Sequence, residues 1–151
     1  MMVKEKWKKT KPLKFSTKEA VNKFLEIVSK DRKILVAYLF GSRAKETENL
    51  DSDIDFAIYT SIDFSFEDYL LLRSDLSLIL KTDRFNLLWM NVADPIIKFA
   101  IIKEGKCIFH RDDEILNMFE MKIRKEFYDY CIRQKKRLKL IKNGIQRKHT
   151  S

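Results

Sequence analysis

Two apolar blocks, Ile34–Phe40 and Phe56–Tyr59, interrupt a chain whose other hydrophobic residues recur at helical spacing. The first, Ile34-Leu35-Val36-Ala37-Tyr38-Leu39-Phe40, has no polar member and is partly β-branched. It predicts a strand over 33–40 buried on both faces. The second block belongs to a predicted strand from Asp53 to Thr60. Before them, Ala20, Val21, Phe24, Leu25, Ile27 and Val28 predict a helix over 17–30. Ser16-Thr17-Lys18-Glu19 opens that helix as a capping box, the Ser16 hydroxyl taking one free amide and Glu19 reaching back. After them, Leu70, Leu71, Leu72, Leu76, Leu78, Ile79 and Leu80 predict a helix from Phe66 to Lys81, and Arg84 to Asn91 reads as a third strand. Asp94-Pro95 starts another helix, with aspartate as N-cap and proline at the first position, and Gly105 stops it. Cys107-Ile108-Phe109 is a short strand. A long helix then runs from Asp112 to about Asn143, ending before Gly144, with Ile115, Phe119, Ile123, Phe127, Tyr130, Leu138 and Ile141 along its apolar side.

Length and charge narrow the class. At 151 residues the chain is read as a basic, flexible arm (1–15), one domain (16–145) and a polar tail (146–151). No apolar run is long enough to span a membrane, and no apolar signal core follows the basic N-terminus. Cys107 and Cys131 lack the spacing of a zinc site or a disulfide framework and read as reduced thiols, so the expected compartment is the cytoplasm. The formal net charge of +9 favours a polyanionic partner, whether RNA, a nucleotide or an acidic protein, and is equally consistent with a solvated lysine-rich surface. No interleaved aromatic and glycine signature accompanies it, so direct nucleic-acid binding is not favoured.

The chemistry lies between the two apolar blocks. Gly41-Ser42 leaves the first, and ten residues later Asp53-Ile54-Asp55 enters the second. Glycine lets the main chain approach a ligand closely, and amides at a helix start beyond it, with the Ser42 hydroxyl, can face a phosphate. Asp53 and Asp55 are two apart on a strand, so both point to one face. Side by side they repel unless a cation lies between them, and Mg²⁺ is suited to one or two carboxylates plus substrate phosphates. A lone Gly-Ser or a lone Asp-x-Asp carries little weight. Together, at this spacing between two strands, they mark a metal–phosphate site.

Leu39-Phe40-Gly41-Ser42-Arg43-Ala44 and Ser52-Asp53-Ile54-Asp55-Phe56-Ala57 resemble the nucleotidyltransferase superfamily related to DNA polymerase β, most closely its minimal nucleotidyltransferase (MNT) branch. Asn91-x-x-Asp94-Pro95 and Glu104-Gly105 support the resemblance, which covers about residues 17–140. It implies an α/β (α+β) nucleotidyltransferase fold, a small mixed β-sheet flanked by helices. It also implies transfer of AMP from ATP to a hydroxyl with loss of pyrophosphate. The implied metal ligands are Asp53 and Asp55, with Gly41 and Ser42 at the outer phosphates. Arg43 or Lys45 offsets charge on the leaving group or is simply a surface residue.

Two positions depart from the family: Glu46, where glycine is common, and, with more consequence, Asn86. The usual third carboxylate, in a segment like Val-Asp-Leu-Val, corresponds to Asn86 in Phe85-Asn86-Leu87-Leu88. Asn86 is therefore the third candidate catalytic residue, but an amide carries no charge and cannot take a proton from an attacking hydroxyl. Loss of such a base removes ~10²–10⁴-fold in rate. Asp83 would face the other way on a regular strand. Stand-alone MNT proteins resemble the antitoxin half of toxin–antitoxin modules, which implies a HEPN-domain ribonuclease as partner, neutralised by adenylylation of a tyrosine or by complex formation. Homo- or hetero-oligomers both stay open. The alternatives are a nucleotide-binding pseudo-enzyme and a small-molecule nucleotidyltransferase, and the latter normally has a further helical domain.

Overall fold

A computed structural model describes residues 16–45 and 52–149, with side chains as far as Ile145. The predicted basic arm therefore lies outside the described residues. Helix α1 (Thr17–Lys30) leads into strand β1 (Ile34–Phe40), a short 3-10 turn (Ser42–Lys45) follows, and β2 (Ile54–Thr60) comes next. The chain continues through α2 (Phe66–Leu80), β3 (Phe85–Trp89), α3 (Pro95–Glu104), β4 (Lys106–His110) and the long helix α4 (Asp113–His149). The sheet order is β3-β2-β1-β4. β1 pairs antiparallel with both β2 and β4, and β2 pairs parallel with β3, so the sheet is mixed as expected.

Each face of the sheet carries its own helical layer, which is why β1 is apolar throughout. On one face Phe24 and Val28 of α1 and Leu72, Leu76 and Leu80 of α2 pack on Leu39, Phe56, Ile58 and Leu87. Phe24 stacks on Phe56 with ring centroids 4.0 Å apart. On the other face Ile101 of α3 and Phe119 and Ile123 of α4 pack on Val36, Tyr38 and Ala57. The β1–β2 register slips between Ile34 and Val36, so Ile34 joins the first layer while Leu35 and Val36 both serve the second. Arg111, just past β4, donates to the carbonyls of Val28, Asp31 and Ile34, which ties the C-terminal end of α1 to the sheet.

The ends of β3 and α4, and the burial of α4, differ from the sequence pattern. β3 stops at Trp89, and Met90–Val92 form a 3-10 turn. There the Asn91 side chain accepts from Thr60 N at 2.9 Å and donates to Thr60 O at 2.8 Å, taking the place of a backbone ladder. α4 runs through Gly144 to His149, because Gly144 does not adopt the positive φ that a helix stop uses. A glycine inside a helix costs only about 1 kcal/mol, too little to end one of this length. The apolar side of α4 is also not buried along its whole length: Phe119 and Ile123 are core, while Leu138 and Ile141 are exposed. Helical spacing marks Met118, Met121 and Ile132 as exposed apolar residues; Met118 and Met121 are exposed, while Ile132 is half-buried.

Candidate active site

The site is built where β1 ends. Gly41 has φ +75°, and the turn it makes is closed by Ala44 N donating to Gly41 O at 3.2 Å. The β1–β2 register pairs Phe40 with Asp55, which brings Gly41 over that carboxylate. A Cβ on Gly41 would sit 2.1 Å from Asp55 Oδ2. Both the backbone angle and the close approach require glycine here.

Asp55 lies in β2 with Ile54 and Phe56 buried toward α1 and α2, so its side chain is on the opposite face. Asp53 immediately precedes the strand in the same phase, as the spacing predicts. The parallel register sets Asn86 directly beside Asp55, and Asn86 Nδ2 donates to Asp55 Oδ1 at 2.7 Å. Arg84 Nε donates to Asp53 Oδ1 at 3.1 Å. Burial pushes the Asp55 carboxyl above its ordinary range; the Asn86 amide opposes that rise, and the neighbouring Asp53 charge adds to it. A cation between the carboxylates would relieve both the burial cost and the repulsion.

The donor set fits a hard divalent ion that takes the rest of its shell from water and phosphate. It does not fit a cage made by protein alone, for no group of three or more His, Cys, Asp or Glu gathers among the described residues. Next to Gly41, a cavity of about 530 Å³ opens between Gly41, Ser42 and Lys45 on one side and Ile97, Ala100 and Ile101 on the other. Its lining is mostly apolar, with Ser42, Lys45 and Glu104 as its polar side chains, which suits a ligand with an apolar body and a charged group. A larger hollow of about 710 Å³ between α1 and α2 lies on the other side of the sheet and includes none of these residues.

A polymerase β nucleotidyltransferase model matches residues 22–114, well over half of the chain and inclusive of every group just described. The chain belongs to the polymerase β nucleotidyltransferase family. No curated protein matches it significantly. Solved structures that share its fold include a toxin–antitoxin with AMP-PNP, 22% identical with a TM-score of 0.63, covering 85% of this chain and 98% of that one. A second is a tri-AMPylated Shewanella oneidensis HEPN toxin in complex with an MNT antitoxin, 20% identical with a TM-score of 0.62 over 85% of this chain and 98% of that chain. A third is the toxin–antitoxin MntA–HepT, 20% identical, TM-score 0.61, with 85% and 99% covered.

Within this family site the remaining candidates divide. Ser42 is exposed at the head of the 3-10 turn, on the rim of the cavity. Lys45 is exposed on the same rim and pairs with Glu104 at 3.9 Å. Arg43 is 3% exposed and points away from the cavity rim into the protein. Its Nε donates to Ser52 O at 2.9 Å and its NH1 group to Thr17 Oγ1 at 3.2 Å. It fastens the turn to α1 and to the segment entering β2, a positioning task. Asp83, off the strand, bonds the Ser77 hydroxyl and stays out of the site. Arg84 was missed in the sequence. The signal that could have found it is period two: Arg84 and Asn86 share a strand face, and that face is the one that carries Asp53 and Asp55.

Proposed function

We propose that the chain is an antitoxin-type adenylyltransferase that moves AMP from ATP to a tyrosine hydroxyl of a HEPN ribonuclease toxin and so neutralises it. The observation that carries the reading is Gly41 set against Asp55, with Asp53 on the same face as that carboxylate and a cavity opening next to Gly41. The family membership and the fold shared with antitoxins solved alongside HEPN toxins support the partner.

In this reading Asp53 and Asp55 hold Mg²⁺, which when bound supplies charge neutralisation and polarisation at the phosphates. The Gly41–Ser42 main chain and the Ser42 hydroxyl orient the outer phosphates, and Lys45 offsets charge at the mouth. Arg43 keeps the turn in place. The acceptor oxygen attacks the α-phosphorus, the bond from that phosphorus to the bridging oxygen breaks, and pyrophosphate leaves with the electron pair. The acceptor's proton passes to solvent or to a base of the partner, since Asn86 cannot take it.

A second reading, neutralisation by complex formation without transfer, is favoured by that same Asn86. Incubation with labelled ATP, Mg²⁺ and a candidate HEPN-domain partner separates the two. Transfer by the wild type, faster transfer by Asn86→Asp and none by Asp53→Ala support the transferase. If neither wild type nor Asn86→Asp labels the partner, the transferase reading is finished and the complex remains.

A further inference from the structure

We infer that this site takes one divalent cation with its nucleotide, and that the Arg84 guanidinium bonded to Asp53 keeps a second from binding. The inference rests on the nucleotidyltransferase reading above and sharpens it.

The geometry comes from β3. Parallel pairing sets Ile54 opposite Phe85 and Asp55 opposite Asn86, so Arg84 and Asn86 flank the carboxylate pair on its own face. Arg84 is held at the strand entry: its carbonyl accepts from Ile54 N at 3.4 Å and its amide donates to Thr82 Oγ1 at 3.1 Å. Its side chain is only 17% exposed, and its Nε reaches Asp53 Oδ1 at 3.1 Å. Each carboxylate thus gives one oxygen to a protein N–H donor, Asp53 to Arg84 and Asp55 to Asn86. Asp55 Oδ2, the other oxygen, faces the gap left by the missing Cβ of Gly41.

One oxygen of each carboxylate is thus taken by a protein donor. Two divalent ions about 3.5–4 Å apart need carboxylates that bridge them and negative charge to offset both. Here the strand that could supply a third carboxylate supplies a neutral amide. Two residues earlier it supplies a guanidinium that stays protonated at any working pH. The formal charges of the four side chains Asp53, Asp55, Arg84 and Asn86 sum to one negative, where a third carboxylate in place of Asn86 would add another. One divalent ion suits it, while a second would sit against a fixed positive group. Arg84 then does electrostatically part of what a second ion does: it holds Asp53 in position and puts positive charge beside the carboxylates. Arg84 is a positioning residue, and the count of bound ions reports on it.

Mn²⁺ serves as the probe, counted by electron paramagnetic resonance on the full chain with a non-hydrolysable ATP analogue. Only ions whose binding depends on the analogue are scored. The expected count is one per chain for wild type and for Arg84→Lys, and two for the Arg84→Gln, Asn86→Asp double variant. Two ions in wild type, or one in a folded double variant, overturn the inference and leave the transferase reading intact. No analogue-dependent Mn²⁺, with no bound analogue, overturns both. The wild-type count needs no variant, so a double variant that fails to fold does not shelter the claim.

Discussion

A Cβ on Gly41 would fall 2.1 Å from Asp55 Oδ2, so the turn after β1 and the carboxylate of β2 share a space that only glycine leaves open. The relationship joins a backbone requirement to the chemistry. Gly41→Ala should cost about 1–3 kcal/mol for a side chain at positive φ. It should also displace the Asp55 carboxylate and weaken Mn²⁺ binding in the nucleotide complex at least tenfold. Urea unfolding and Mn²⁺ titration check the two effects separately. A variant that matches wild type in both would remove Gly41 from the site.

Arg43 gives a prediction of the opposite kind. Its guanidinium is buried and bonds Ser52 O and Thr17 Oγ1, so it acts through stability. Arg43→Ala should cost about 1.5–3 kcal/mol, the range for hydrogen bonds to a charged group. Arg43→Lys should recover little of it, because an ammonium cannot make the forked set of bonds. Thermal unfolding and ATP affinity of the folded protein decide the matter. If Arg43 touched the phosphates, the lysine variant would keep its melting temperature and lose affinity. The expectation is the reverse.

Strands, helices and the Gly-Ser and Asp-x-Asp elements were legible because each writes a local pattern. β1 is apolar throughout, Asp94-Pro95 is a helix start, and two aspartates in phase on a strand share a face. What was not legible depends on pairing between distant segments. Nothing local to Arg43 says that its guanidinium turns inward, for its partners Thr17 and Ser52 come from α1 and from the entry to β2. Arg84 joins the site only because β3 lies parallel to β2 in a register that one residue of slip would undo. Gly144 misled for a related reason: glycine marks a helix end only where a left-handed turn follows, and the flanking residues here continue the helix. The Asn86 substitution could be read from sequence; its bond to Asp55 could not.

The two halves of α4 should respond differently to substitution. Phe119 and Ile123 are buried against the sheet, and Phe119 stacks on Tyr59 with centroids 3.9 Å apart. Phe119→Ala should cost about 3–5 kcal/mol and Ile123→Ala about 2–5 kcal/mol. Leu138 and Ile141 are 63% and 51% exposed, so Leu138→Gln and Ile141→Gln should change stability of the isolated chain by less than about 0.5 kcal/mol. Chemical denaturation of the four variants tests this. A large loss at Leu138 or Ile141 would mean that the distal half of α4 is packed in solution.

Acid should expose the contribution of Asp68. Its carboxylate accepts from Ser65 N at 2.9 Å in the capping box of α2 and from Lys33 Nζ at 3.4 Å. The Ser65 backbone bond, more than the Lys33 bond, holds the Asp68 carboxyl below its ordinary range. A carboxylate depressed on folding binds fewer protons in the native state than in the unfolded one. Its stabilisation is therefore full above the unfolded value, about 3.9 for aspartate, and fades as pH falls through the lower native value. Asp68→Asn keeps an acceptor for the Ser65 amide but removes the charge. The stability gap between wild type and Asp68→Asn should be constant from neutral pH to about 5 and shrink steadily below 4. Urea unfolding across that range is the measurement. A gap that widens on acidification would reverse the sign and show that Asp68 is easier to protonate in the native protein than in the unfolded chain.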